Sequence, residues 1–224
     1  MPNTTPTCST GEPCQLSDEI ASLKREIEQL AELVSTDTLT GLNNYRYFAQ
    51  VIVQEMERSQ RTGQATILMM VDADHFKNVN DQWGHETGNQ ALKLIADCIK
   101  NNIRKLDIPC RYGGEEFAII LPSTDITTGI HVAERIRQAV ENAVFTVGNK
   151  QQHPLTISIG LIAYLGDQYK DWNILVEKAD HELYRAKQEG RNQVCYALPD
   201  ENKDQQVSED EKSALFDIFK DTSD

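Results

Sequence analysis

The stretch CRYGGEEFAIILP, Cys110 to Pro122, constrains the fold of this chain more than any other. Two glycines and two glutamates stand at the mouth of an apolar run, although strand interiors disfavour both residue types. A tight hairpin accounts for the glycines, which take positive φ at little cost and let another group approach the backbone. A hairpin also makes its two strands antiparallel neighbours. Strands and helices alternate along this chain, so the sheet is expected to be mixed and mostly antiparallel rather than doubly wound. The fold class expected is an α+β sandwich of the ferredoxin-like kind, with helices flanking the sheet.

The rest of the pattern fits that frame. TILMMVD (Thr66 to Asp72) reads as a buried strand ending in an acid, TISIGLIAY (Thr156 to Tyr164) as a second, and QVCYA as a short last one. Helices are expected over Tyr45 to Arg61, His85 to Ile103, Thr128 to Val144 and Asp171 to Glu189. Ahead of them Leu16, Ile20, Leu23, Ile27, Leu30 and Val34 recur at alternating steps of four and three, a heptad seam. Residues 16–36 therefore read as a dimerising coiled-coil helix, or as an amphipathic helix packed on its own domain.

Residues 1–15, rich in Pro, Thr and Ser, read as a disordered tail, and 37–198 as the globular domain. Residues 199–224 form an acidic tail of net charge −6 within a total of −13. Its patch Leu215, Phe216, Ile218 and Phe219 is either a docking segment for a protein partner or a solvated end. About 15 residues before the heptad leave no room for a sensor domain.

The negative balance argues against general nucleic-acid binding, which needs clustered Lys and Arg. A protein of this charge that handles phosphates needs a metal ion to offset repulsion. No apolar run reaches the roughly 20 residues of a membrane helix, and the polar N-terminus lacks the pattern of a secretory signal. A cytoplasmic location is expected, with the five scattered cysteines (Cys8, Cys14, Cys98, Cys110, Cys195) kept as thiols.

The chemistry lies in the acids. Asp72 ends a buried strand, and rigidity at a strand end suits a metal ligand; a helix cap or surface turn at DADHF is the plain alternative. If its strand neighbours that of Glu115 and Glu116, three carboxylates converge on one point. Hard oxygen donors without His or Cys point to Mg²⁺ or Mn²⁺. Gly113 and Gly114 then leave room for phosphate beside the metal.

DTLTGL (Asp37 to Leu42), DADHFKNVND (Asp72 to Asp81), GHETGN (Gly84 to Asn89), RYGGEEF (Arg111 to Phe117), SIG (Ser158 to Gly160) and AKQEGRN (Ala186 to Asn192) together resemble the GGDEF-domain diguanylate cyclases, in the GGEEF variant. The resemblance runs from Asp37 to near Tyr196. It implies a palm-type sandwich in which two GTP molecules condense to cyclic di-GMP and two pyrophosphates, with two Mg²⁺ or Mn²⁺ ions per half-site.

In family terms Asp72, the carbonyl of Ala73, Glu115 and Glu116 would hold the metals, and Glu115 is the candidate base. Lys77 would stabilise phosphate charge, with Lys187 and Arg191 reaching the phosphates from the last helix and its loop. Phe76 belongs to the core. Asn80 and His85 match the family's nucleobase and substrate contacts, and Asn89 stands at another substrate-binding position.

Asn89 departs from the family's usual Asp. One of its two polar groups is a donor, which faces a donor on guanine, so relaxed purine choice is an alternative reading. Tyr45, where many relatives have Arg, is a smaller departure. Arg104 and Asp107 match the RxxD product-inhibition site, and Arg135 stands at a second product-binding position; a plain surface ion pair is the alternative. A twofold product calls for two facing half-sites, hence a homodimer through the heptad helix. The competing function is a catalytically silent cyclic di-GMP receptor, against which the retained Asp72, Lys77, Glu115, Glu116, Lys187 and Arg191 argue.

Overall fold

The computed structural model describes residues 19–20, 22–24, 35–148, 151–166, 169 and 171–198. In chain order its elements are α1 (Tyr45–Thr62), β1 (Thr66–Ala73), α2 (Phe76–Trp83), α3 (His85–Asn101), β2 (Ile108–Arg111), β3 (Glu116–Leu121), α4 (Ile126–Glu141), β4 (Thr146–Val147), β5 (Gln151–Gln152), β6 (Ile157–Tyr164), α5 (Trp172–Gln188) and β7 (Val194–Tyr196). The main sheet has the order β2-β3-β1-β6-β7. Its pairs are antiparallel except β6 with β7, which is the mixed, mostly antiparallel sheet expected.

Residues on β1 alternate between two cores, as a strand's period of two requires. Ile67, Met69, Val71 and Ala73 pack with the apolar faces of α3 and α4, for example Ile95, Ile99 and Ile136. Leu68 and Met70 pack on the other side with Phe48 and Ile52 of α1 and Leu175 and Ala179 of α5. A strand buried on both faces explains the continuous apolar run of the sequence. Gly160 lets one helix come unusually close: a Cβ there would lie 2.1 Å from the backbone N of Leu183 and 2.2 Å from the carbonyl of Ala179, both on α5.

Local signals fix the helix ends. Asn44, Asp125 and Asp171 cap α1, α4 and α5 with side-chain acceptors for Tyr47, Thr128 and Asn173 N–H groups. Gly63, at φ 68°, closes α1 by donating its N–H to Ser59.

Several expectations need correction. α2 was raised only as the alternative of a helix cap at DADHF: its eight residues start from His75 in the left-handed region, which makes no side-chain cap, rather than from an Asp. α4 runs Ile126–Glu141 rather than Thr128 to Val144, because Asp125 caps it two residues earlier. Gly113 and Gly114 do form the hairpin end, but neither is among the positive-φ glycines, so left-handed geometry is not their purpose. A Cβ on Gly113 would meet Glu116 Oε2 at 2.8 Å, whereas Gly114 opens onto free space. Of the heptad segment, Glu19, Ile20, Ser22, Leu23 and Lys24 are helical, and its other positions up to 34 lie outside the described residues. Thr36 pairs instead with Asn43 in an isolated bridge. The tails expected at 1–15 and 199–224 lie outside the described residues as well. Among the described residues no helix is long and apolar enough to cross a membrane.

Candidate active site

β1 and β3 are neighbours, and their register sets Asp72 directly opposite Glu116. Directly opposite residues have Cβ atoms about 4.5–5.5 Å apart, so two carboxylates share one spot on the sheet end. The hairpin tip is laced to the same spot: the Ala73 N–H donates to the Glu115 carbonyl at 3.3 Å, and the Tyr112 and Gly113 N–H groups donate to the Glu116 carbonyl at 2.9 and 3.1 Å. Lys187, in the last turn of α5, brings Nζ to 2.8 Å from Asp72 Oδ2.

The electrostatics follow from this crowding. Burial, with the Glu116 and Asp74 charges, pushes the Asp72 carboxyl above its usual range against the pull of Lys187. Burial and the Asp72 charge likewise push Glu115 up. Asp180 on α5, open to solvent on one side, is raised by its partial desolvation and by Glu116. Asp180 was missed in the sequence. The signal was there, since it lies two helical turns before Lys187 and so on the same face of α5.

Among the described residues no three Asp, Glu, His or Cys side chains are gathered closely enough to hold one metal ion. Glu115 nonetheless feels the charges of both Asp72 and Glu116, and Asp72 that of Glu116, with the Lys187 cation beside them. The donor chemistry nevertheless fits a hard divalent cation, with carboxylate oxygens facing across two strands and a cationic side chain already drawn to one of them.

The other predicted residues sit on neighbouring elements. Lys77 is exposed on the first turn of α2, and Phe76 beside it is core, as expected. Asn80 on α2 leans on α3: a Cβ on Gly88 would lie 2.0 Å from its Oδ1, which explains the glycine of GHETGN. His85 is exposed and Asn89 half-buried on α3. Neither Asn80 nor Asn89 spends its side chain on a hydrogen bond within the described residues. Arg191 stands in the loop after α5 at φ 63°. Asp74, by contrast, is committed inside the protein, accepting from Ser158 Oγ at 2.7 Å and Thr156 Oγ1 at 2.8 Å.

The hairpin is also braced from outside. Arg111 donates to the Gly114 carbonyl through Nη2 at 2.7 Å and Nε at 3.2 Å, and through Nη1 to Asp37 at 3.2 Å. Tyr112 stacks edge-on against Tyr45 and Phe48, with centroids 5.1 and 5.2 Å apart, which gives the departure at Tyr45 a packing role.

Arg104 and Asp107 close a turn before β2. The Arg104 N–H donates to Asp107 Oδ2 at 2.6 Å and the Asp107 N–H to the Arg104 carbonyl at 3.1 Å, so Asp107 caps backbone rather than forming the plain surface ion pair. Arg135 donates to the Asn102 carbonyl and lies close enough to lower the Asp107 pKa, although burial raises it on balance. Beside the turn opens a cavity of about 560 Å³ lined by Arg58, Gln64, Arg104, Leu106, Asp107 and Ser123. Arg58, which donates to Ser123, was not singled out in the sequence because it comes from α1, far away along the chain.

Residues 34–193 match the family described as diguanylate cyclase, GGDEF domain. The response regulator PleD of Caulobacter vibrioides is 38% identical over 173 residues, which are 77% of this chain and 38% of that protein. The chain thus spans about two fifths of the length of that relative. Among solved structures, diguanylate cyclase SiaD in complex with its activator SiaC from Pseudomonas aeruginosa superposes with a TM-score of 0.70 at 35% identity, covering 82% of this chain and 70% of that one. The coiled coil and GGDEF domain of DgcB from Caulobacter crescentus, in complex with c-di-GMP, gives 0.70 at 29% identity over 82% and 96%.

Proposed function

The chain belongs to the GGDEF-domain family of diguanylate cyclases, and from that premise we propose that it condenses two GTP molecules into cyclic di-GMP with release of two pyrophosphates. Each 3′-hydroxyl oxygen forms a bond to the α-phosphorus of the other nucleotide, and the bond from that phosphorus to the β-phosphate bridging oxygen breaks. The single observation that carries this reading is Asp72 opposite Glu116, with Lys187 Nζ 2.8 Å from Asp72.

Asp72, the Ala73 carbonyl, Glu115 and Glu116 would hold Mg²⁺ or Mn²⁺, two ions per half-site. When bound, the ions neutralise the triphosphate and acidify the attacking hydroxyl. Glu115, its carboxyl pushed above its ordinary value by burial and the Asp72 charge, is suited to take the 3′-hydroxyl proton. Lys187 exchanges its contact with Asp72 for the phosphates, where Arg191 and Lys77 add positive charge. Gly114, with open space where a side chain would be, admits the phosphates beside the hairpin. Asn80, His85 and Asn89 on α2 and α3 face the nucleobase and ribose.

Two half-sites face each other in a homodimer paired through the N-terminal helix, of which Glu19, Ile20, Ser22, Leu23 and Lys24 are helical. Cyclic di-GMP binds back at Arg104, Asp107 and Arg135, with Arg58 added by the shared cavity, and inhibits. A partner protein acting on this chain is supported by the activator in the SiaD complex. Incubation with GTP and Mg²⁺, with nucleotides separated by chromatography, tests the reading: cyclic di-GMP is expected, abolished by EDTA. Tight cyclic di-GMP binding without turnover would select a receptor instead.

A further inference from the structure

Gly190, Arg191 and Asn192 follow one another at φ 122°, 63° and 46°. Glycine adopts such angles freely and Asn more readily than most residues, but Arg does so against steric strain. A left-handed run that includes such a residue persists where the surroundings over-determine it. Here the grip is on Asn192. Its N–H donates to Asp74 Oδ2 at 3.0 Å, its Oδ1 accepts from Arg137 Nη1 at 2.8 Å, and its Nδ2 donates to Glu141 Oε1 at 2.7 Å. Three side chains from two parts of the fold thus converge on one residue: Asp74 of the chain leaving β1, and Arg137 and Glu141 from successive turns of α4. The carbonyl of Gln193, next along, accepts from the Ile159 N–H of β6, and the Arg191 N–H donates to the Ala186 carbonyl of α5.

Arg137 is central to this grip. Its side chain is only 11% exposed, and the same guanidinium also binds Glu134 at 2.6 Å and Glu141 at 2.8 Å. A planar fork with fixed donors is suited to holding several acceptors in one geometry, which a lysine does not do. Released from it, the backbone at 191 and 192 relaxes toward negative φ. The Arg191 side chain then leaves on a different vector.

We propose that Arg137, acting through Asn192, is a positioning residue that locks the left-handed turn and so aims Arg191 at the triphosphate. Arg137 itself touches no substrate. The inference rests on Arg191 being a phosphate contact, as the proposed function has it.

The test is titration calorimetry of the full chain with α,β-methylene-GTP in Mg²⁺, which needs no turnover, alongside thermal unfolding. Arg191→Ala is expected to weaken binding about 10-fold or more, and Arg137→Ala by a similar or smaller factor, with the double variant no weaker than Arg191→Ala alone. Asn192→Gly, which tolerates the left-handed backbone, is expected to bind more tightly than Asn192→Ala. That order is not expected from loss of a side-chain contact alone, since both variants lack the contact. If Arg137→Ala fails to fold, Arg137→Lys and the two Asn192 variants carry the same comparison. Additive losses for Arg137→Ala and Arg191→Ala, or unchanged affinity in Arg137→Ala beside a loss in Arg191→Ala, overturn the positioning role and leave the Arg191 contact standing. Unchanged affinity in Arg191→Ala, or no binding by the native chain, removes the functional reading and the inference with it.

Discussion

Lys187 Nζ lies 2.8 Å from Oδ2 of Asp72, which joins the end of α5 to the end of β1 at the point where β1 meets the GGEEF hairpin. The pair places a long cationic side chain on the carboxylate that, on the proposed function, a divalent ion would claim. Binding of metal and nucleotide would then free the ammonium for the phosphates.

Replacing Lys187 tests that exchange. Lys187→Ala removes a charge-assisted contact to phosphate and is expected to raise KM for GTP about 10- to 100-fold. Steady-state kinetics at saturating Mg²⁺ measure it. An unchanged KM would place Lys187 outside substrate binding.

The height of α5 over the sheet decides whether Lys187 reaches Asp72, and Gly160 sets that height. Gly160→Ala drives a Cβ to within 2.1 Å of the helix backbone, where nothing flexible can give way. A loss of roughly 1–3 kcal/mol or more is expected from such overpacking. Urea unfolding reads the loss, and activity should fall further than stability explains because α5 carries Lys187.

Asp37 ties the N-terminal end of the domain to the hairpin through Arg111. Burial pushes its carboxyl up, but hydrogen bonds from Thr40 and Arg111 more than offset this and hold it below its ordinary 3.8. Its contribution is thus complete above the unfolded-state pKa and is lost as pH falls through the lower folded-state value. Asp37→Asn is expected to cost about 1–2 kcal/mol at pH 7. In denaturant titrations across pH, the gap between native and variant should close below about pH 4.

The pattern of what the sequence disclosed has a physical basis. β1 and β3 were legible because strands buried on both faces leave unbroken apolar runs, and the hairpin because two adjacent glycines rarely serve anything else. α2 surfaced only as the alternative of a cap at DADHF because it begins without a side-chain cap, from left-handed His75. Asp180 and Arg58 stayed hidden because an isolated charge on a helix is ordinarily solvated, and only the packing of distant elements sets one beside the carboxylates and the other in the cavity wall. Asn192 was read as the end of a motif, whereas its role depends on Arg137 and Glu141, which lie about fifty residues earlier in the chain.

On the proposed function Asn89 faces the nucleobase, and Asn89→Asp then replaces a donor that opposes guanine's donors with an acceptor, so the ratio of kcat/KM for GTP over ATP is expected to rise about 10- to 100-fold. Competition between the two nucleotides measures it. A ratio that does not move would take residue 89 out of nucleobase recognition.

The most direct measurement is cyclic di-GMP formation from GTP and Mg²⁺ by the native chain beside Asp72→Asn and Glu115→Gln, each shown folded by circular dichroism. The account predicts one cyclic dinucleotide and two pyrophosphates per pair of GTP in the native chain, and neither product above background in the two amide variants. Undiminished synthesis by either variant would contradict it.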